Sequence, residues 1–267
     1  MSESVSFVRA GDGARIAYRI DGPTDKPTLI LSNSIATTLH MWDGQIPELS
    51  RHFRVVRYDT RGHGASSVPA GAYSIDRLGR DVVELMDALA IQRAHFLGLS
   101  LGGFVGQWLG IQVPERIDRL ILSNTSSYLG PAQPWDETIR TVLQSKDMTE
   151  RAEIFLRNWF PAHMLRAGGP TIEHFRAMVL STTPAGLAGN FAVVRDTDLR
   201  RTIALITRPT LVIAGEHDPV TAASHGRAIA ETIPGAQLKV LPTVHLPNVE
   251  LPNEYMQTVL DFLRATG

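Results

Sequence analysis

The sequence predicts an α/β protein: a mostly parallel sheet with helices on both faces and a helical cap inserted near one end. Three patterns lead there. Short apolar runs alternate with helical periods over residues 25–125 and again over 208–267, as in parallel strands joined by helices. The interval 128–200 carries helical periods and no strand signal. A segment of alternating apolar and polar residues precedes both. The division expected is a core of 1–127 and 201–267, with a cap of 128–200 over the C-terminal edge of the strands, where open α/β sheets place their ligands.

The elements follow in chain order. Residues 5–9 and 15–20 alternate around Gly11-Asp12-Gly13, which predicts an antiparallel hairpin at the sheet edge. The runs 28–31, 55–58, 95–97, 120–122, 211–214 and 238–241 are short, mostly apolar and end in polar or Gly-rich turns, as buried parallel strands do. Ile75, Leu78, Val82, Leu85, Met86 and Leu89 recur at threes and fours, so this stretch is expected to be a helix with one apolar face. Another helix is expected over 103–113, closed by Pro114. In the cap, helices are expected near 137–144, 149–158, 171–181 and 185–194, divided by Pro161, Gly168-Gly169-Pro170 and Pro184.

Composition narrows the function classes. With 267 residues, 43% of them hydrophobic and 20% charged, the chain can bury a sizeable core, which removes disordered and fibrous readings. The formal net charge is −1 and no long run of like charges occurs, so neither nucleic acid nor a membrane surface is an expected partner and a small substrate is. No signal-peptide stretch occurs in the polar segment 1–13 and no apolar run reaches membrane-span length, so a cytoplasmic location is expected. The absence of cysteine excludes thiol catalysis and disulfides, and no metal or organic cofactor is implied.

The chemistry is carried by Gly98-Leu99-Ser100-Leu101-Gly102, which follows a predicted strand and opens a predicted helix. A strand-to-helix turn this tight strains the serine backbone and leaves no room for side chains two residues away, hence the glycines. It lifts the Ser100 hydroxyl into the open at a helix N-terminus, with the Leu101 amide aimed at a developing oxyanion. Asp218 follows the 211–214 strand and His245 the 238–241 strand, so three distant residues end on one rim in the order Ser, Asp, His. His245 would take the Ser100 proton while Asp218 fixes its tautomer. Asp198 is a rival acid; Glu216 and His217 adjoin Asp218 but should point elsewhere; His63, between two glycines, is expected to serve a structural turn. The second oxyanion donor is expected from the loop after the 28–31 strand, as the backbone N–H of Ile35.

Taken together, these stretches resemble the 3-oxoadipate enol-lactonases, members of the α/β-hydrolase fold. The resemblance spans nearly the whole chain. Its carriers are Leu31-Ser32-Asn33-Ser34 with His40-Met41-Trp42, the Gly98–Gly103 turn, Arg195-Asp196-Thr197-Asp198-Leu199-Arg200, and His245-Leu246-Pro247-Asn248-Val249-Glu250. The cap stretch Gly186-Leu187-Ala188-Gly189-Asn190 and the segment Thr125-Ser126-Ser127-Tyr128 depart from typical members. The resemblance implies a five-membered unsaturated lactone bearing an acetate arm, opened to 3-oxoadipate. That carboxylate needs a donor from the cap, and Ser34, Trp135 and Arg140 are the expected substrate contacts. A carboxylesterase or a C–C bond hydrolase of ring-fission products would use the same three residues, and a hormone-receptor-like binder would keep them with little turnover.

Overall fold

The computed structural model describes residues 5–265. Its strands are β1 (Ser6–Arg9), β2 (Arg15–Asp21), β3 (Thr28–Ser32), β4 (Arg54–Tyr58), β5 (Ala94–Leu99), β6 (Ile117–Ser123), β7 (Thr210–Gly215) and β8 (Gln237–Leu241). They form one eight-stranded sheet in the order β1-β2-β4-β3-β5-β6-β7-β8. β1 and β2 are the expected hairpin, β1 pairing antiparallel with β2 and β2 antiparallel with β4, and every other pairing is parallel. This is the α/β architecture the sequence predicts.

Register levels the C-terminal ends. Ser32 pairs with Gly98, Leu99 with Ser123, Ser123 with Ile213, and Gly215 with Leu241. The chain therefore leaves β3, β5, β6, β7 and β8 along one rim. Between the strands, α1 (Ile46–Leu49) is a single turn, and α2 (Ile75–Ala88) buries Leu78, Val82, Leu85 and Met86 on one face. α2 starts where the Ser74 hydroxyl accepts the Arg77 N–H, an N-cap that satisfies one of the four orphan amides. α3 (Leu101–Gln112) is apolar all round and buried along nearly its whole length.

Five helices lie between β6 and β7: α4 (Ala132–Gln144), α5 (Thr149–Trp159), α6 (Ala162–Ala167), α7 (Pro170–Ser181) and α8 (Pro184–Asp196). Four were expected. Pro161, which looked like a plain break, sits in extended conformation as the N-cap of α6, a helix too short to display a period. α4 packs along α8 and α5 against α7. Where the excursion leaves and rejoins the sheet, Tyr128 and Asp198 form an antiparallel bridge, and the Leu199 N–H bonds Ser127 O at 2.8 Å. The chain closes with α9 (Ala223–Thr232), α10 (Pro247–Glu250) and α11 (Pro252–Arg264).

β8 differs from expectation. The apolar run 238–241 predicts a buried strand, yet Gln237, Leu238 and Lys239 are exposed because β8 is the sheet edge, and a lysine there discourages pairing with another chain. Among the described residues no single helix is long and apolar enough to cross a membrane.

Candidate active site

Ser100 stands alone between β5 and α3 with φ 58° and ψ −113°, a left-handed backbone that typically costs a non-glycine residue about 1–3 kcal/mol. Neighbouring backbone holds it there. Its N–H bonds Ser123 O at 2.9 Å, and its carbonyl accepts the Thr125 hydroxyl at 2.7 Å and the Gly103 N–H at 2.9 Å. The flanking glycines are obligatory. A Cβ on Gly98 would lie 2.0 Å from Gly102 O, and one on Gly102 would lie 2.3 Å from Ser32 O.

Asp218 and His245 meet at the same rim. His245 Nδ1 lies 2.7 Å from Asp218 Oδ2, and both side chains are buried. Asp218 is further held by the Val220 and Thr221 N–H groups at 2.8 and 3.0 Å, the Thr221 hydroxyl at 2.8 Å and the Asn124 amide at 3.0 Å. Burial opposes its charge, but the charge and hydrogen bond of His245, the Thr221 N–H and the Asn124 amide outweigh that and hold its pKa well below the usual carboxylate range. Asp218 is thus a fixed anion at neutral pH, which sets the His245 Nδ1 as a donor and leaves Nε2 as the basic nitrogen. His245 and Ser100 border one cavity, and no hydrogen bond joins their side chains.

The loop after β3 forms the opposite wall. Asn33 is fully buried: its amide donates to Tyr58 O at 2.8 Å, its side-chain oxygen accepts the Trp42 indole N–H at 2.9 Å, and its carbonyl accepts the Gly102 N–H at 3.0 Å. Ile35 borders the cavity. Among the described residues neither the Ile35 nor the Leu101 amide has a hydrogen-bond acceptor, and both residues border the cavity. Ala36, with φ 61°, gives its N–H to His63 Nε2 at 2.8 Å. Burial alone pushes the His63 pKa down to about 4, so the imidazole is a neutral acceptor. His63 therefore has the structural role expected, and the element it supports is this loop. Asn190 of α8 reaches the same turn, donating to Arg61 O at 2.9 Å.

The cavity measures about 250 Å³, the scale of a small ligand. Phe155, Trp159 and Phe191 wall it from the helices, and Trp135 lies 5.5 Å from Phe191 with its indole N–H donated to Leu129 O at 2.8 Å. The ring of Trp135 is thus an apolar wall. A larger opening of about 760 Å³ near His40, His174 and Asn248 touches none of the three rim residues.

Other expected contacts fall elsewhere. Arg140 is exposed and does not border the cavity. Five residues along a helix turn about 140° around its axis, so Arg140 cannot share the face of Trp135, whereas Thr138, three residues on, does. Ser34 is buried behind the loop with its N–H directed at Met41 Sδ, 3.3 Å away, and it does not border the cavity. Asp198, the rival acid, is exposed and pairs with Arg200. The cation in the cavity wall is Arg151 of α5.

Residues 27–166 match the profile of the α/β-hydrolase fold family. The chain belongs to the α/β-hydrolase family. It is 38% identical to a protein named 3-oxoadipate enol-lactonase 2 of Acinetobacter baylyi, over 91% of this chain and 90% of that one. Two solved structures superpose closely. A hydrolase from Pseudomonas aeruginosa PA01 has a TM-score of 0.97 at 61% identity, covering 99% of this chain and all of that one. An enol-lactonase from Burkholderia xenovorans LB400 has a TM-score of 0.94 at 37% identity, covering 97% and 100%. With these relatives, the protein is a hydrolase acting on ester bonds.

Several residues of this α/β hydrolase escaped sequence reasoning. Asn124 and Thr221 orient Asp218, but lone polar residues after a strand carry no motif. Arg151, Ile154, Phe155 and Asn158 share one face of α5 at the spacing i, i+3, i+4, i+7, a pattern visible in the sequence but indistinguishable there from ordinary packing. Among the described residues no cluster of His, Asp or Glu is suited to hold a metal.

Proposed function

We propose that this hydrolase opens the ring of 3-oxoadipate enol-lactone to give 3-oxoadipate, through a Ser100–His245–Asp218 triad and an acyl-enzyme. One observation carries the reading: Ser100, His245 and the two residues whose amides lack acceptors, Ile35 and Leu101, border a single small, largely apolar cavity, and Asp218 stands behind His245, bonded to its Nδ1. The name of the Acinetobacter relative supports the choice of lactone.

The Ser100 oxygen attacks the lactone carbonyl while His245 Nε2 takes its proton, and Asp218 stabilises the imidazolium formed. The tetrahedral oxyanion receives the N–H groups of Ile35 and Leu101. The ring C–O bond then breaks, and the leaving group is an enolate, which departs more readily than an alkoxide and needs only assistance from protonated His245. The enol becomes the ketone. Water, deprotonated by His245, attacks the acyl-enzyme, and Ser100 regains its proton. The serine–histidine hydrogen bond forms when substrate closes the site, as hydrogen bonds looser in empty enzymes do. Residues 128–200 act as a cap that shapes the pocket and sheds water, and the enzyme works in the cytoplasm on a free small molecule.

The test is the ultraviolet loss of 3-oxoadipate enol-lactone at neutral pH in wild type and Ser100→Ala, with an aryl ester as rival. Rapid lactone loss that vanishes in the variant, with poor use of the ester, is the expected outcome. A lactone that survives while the ester is cleaved turns the assignment to a carboxylesterase.

A further inference from the structure

Arg151 differs from every other cation near the cavity. It occupies the third position of α5, is half-buried, and borders the cavity together with Ile154, Phe155 and Asn158 from the same helix face. Arg157, about 120° around α5 from Arg151, is exposed. Among the described residues Arg151 has no hydrogen bond and no ion pair; of the acids near it in sequence, Glu150 next to it makes no ion pair with it, Glu153 pairs with Arg176, and Asp147 accepts the Thr149 N–H.

Stability does not explain such a placement. A cation in the first turn of a helix opposes the helix dipole, and a guanidinium against aromatic walls gives up water without gaining a partner. An anion in the cavity would answer both. It would meet the positive N-terminal end of α5 and a planar fork of donors matched to a carboxylate. No other Lys or Arg borders the cavity, and the remaining titratable group there is His245, which the reaction uses.

We infer that Arg151 binds a substrate carboxylate, so that the cavity selects small lactones or esters carrying one negative charge. The inference deepens the enol-lactone reading, resting on it for the ring and not for the charge. Arg151 acts on specificity: it holds the acetate arm so that the ring carbonyl presents itself to Ser100.

The test compares 3-oxoadipate enol-lactone with 5-methyl-3H-furan-2-one, the same ring with a methyl group in place of the acetate arm. Arg151→Met should lower kcat/KM for the anionic lactone about 50-fold, chiefly through KM, and leave the methyl lactone within about threefold, as loss of a charge-assisted hydrogen-bonded pair requires. Arg151→Lys should recover part of the loss, since it restores the charge but not the fork. Equal effects on both lactones, or none on either, overturn the assignment. A second measurement needs no variant. Glutarate should inhibit wild-type hydrolysis of p-nitrophenyl acetate roughly tenfold better than glutaramide, with the advantage shrinking as salt rises. Equal inhibition by the two overturns the anion site. Should the wild type open neither lactone, the enol-lactone reading fails, and the glutarate comparison alone decides for or against Arg151.

Discussion

The sheet rim and the helices above it contribute to one cavity in opposite ways. At the rim, polar groups are held by redundant bonds: Asp218 accepts five hydrogen bonds and Asn33 takes part in three. The helices supply mostly rings, with Phe155 4.9 Å from Trp159 and 6.3 Å from Phe191, centroid to centroid, and one cation left without a partner. A rim built this way keeps atoms within the tolerance that proton transfer demands. An aromatic wall defines shape and excludes water, and it can change its selectivity by single substitutions without disturbing the rim.

This contrast can be broken at either end. The largest effect is expected from Ser100→Ala, which should lower turnover by about 10⁴-fold or more while leaving the thermal midpoint close to wild type. Comparable turnover by the variant would move the nucleophile elsewhere. In the helices the order reverses. Trp159 is fully buried between Phe155 and Phe175, so Trp159→Ala should cost about 3–5 kcal/mol in urea unfolding and raise KM more than it lowers kcat. A variant of unchanged stability would mean that the helices fold independently of their aromatic cluster.

His63 joins the two regions and gives the contrast a pH dependence. Burial depresses its pKa to about 4 from an ordinary 6.5, so the unfolded chain takes up the proton first. The stability from this group is complete above pH 6.5 and is lost as pH falls toward 4, roughly 3 kcal/mol across that window. His63→Gln keeps an acceptor for the Ala36 N–H but cannot titrate, so its unfolding free energy should lose this slope. Persistence of the slope in the variant would assign it to another group, such as His95, whose pKa burial also lowers. The smallest effect is expected at Asn124. Its removal leaves Asp218 four other partners, so Asn124→Ala should lower kcat about tenfold, the worth of one hydrogen bond to a charged group. A loss as large as that of Ser100→Ala would give Asn124 a direct part in the chemistry.

Much of this was legible in the residues themselves. Each core strand is visible because strands buried on both faces must be short apolar runs, and the strand-to-helix turn at Ser100 because it admits only glycine two residues away on either side. Asp218 and His245 stand out in the sequence by their places after β7 and β8, and the fold brings the two within hydrogen-bond distance. β8 looked buried because apolar content does not say which strand lies at an edge, and α6 was hidden by its length. Arg140 lies close to Trp135 in sequence yet on another face of α4, so nearness along the chain does not bring it to the cavity, and no pattern in the sequence marks Arg151 in its place.

The sequence by itself determined the sheet, its rim and the residues placed there, because strand period, turn sterics and chain order are local properties. Only the tertiary structure decided which helix faces close over that rim. Every amphipathic helix buries an apolar stripe, and whether Phe155 and Arg151 meet a neighbouring helix or a cavity depends on how α4, α5 and α8 cross, which no local pattern encodes.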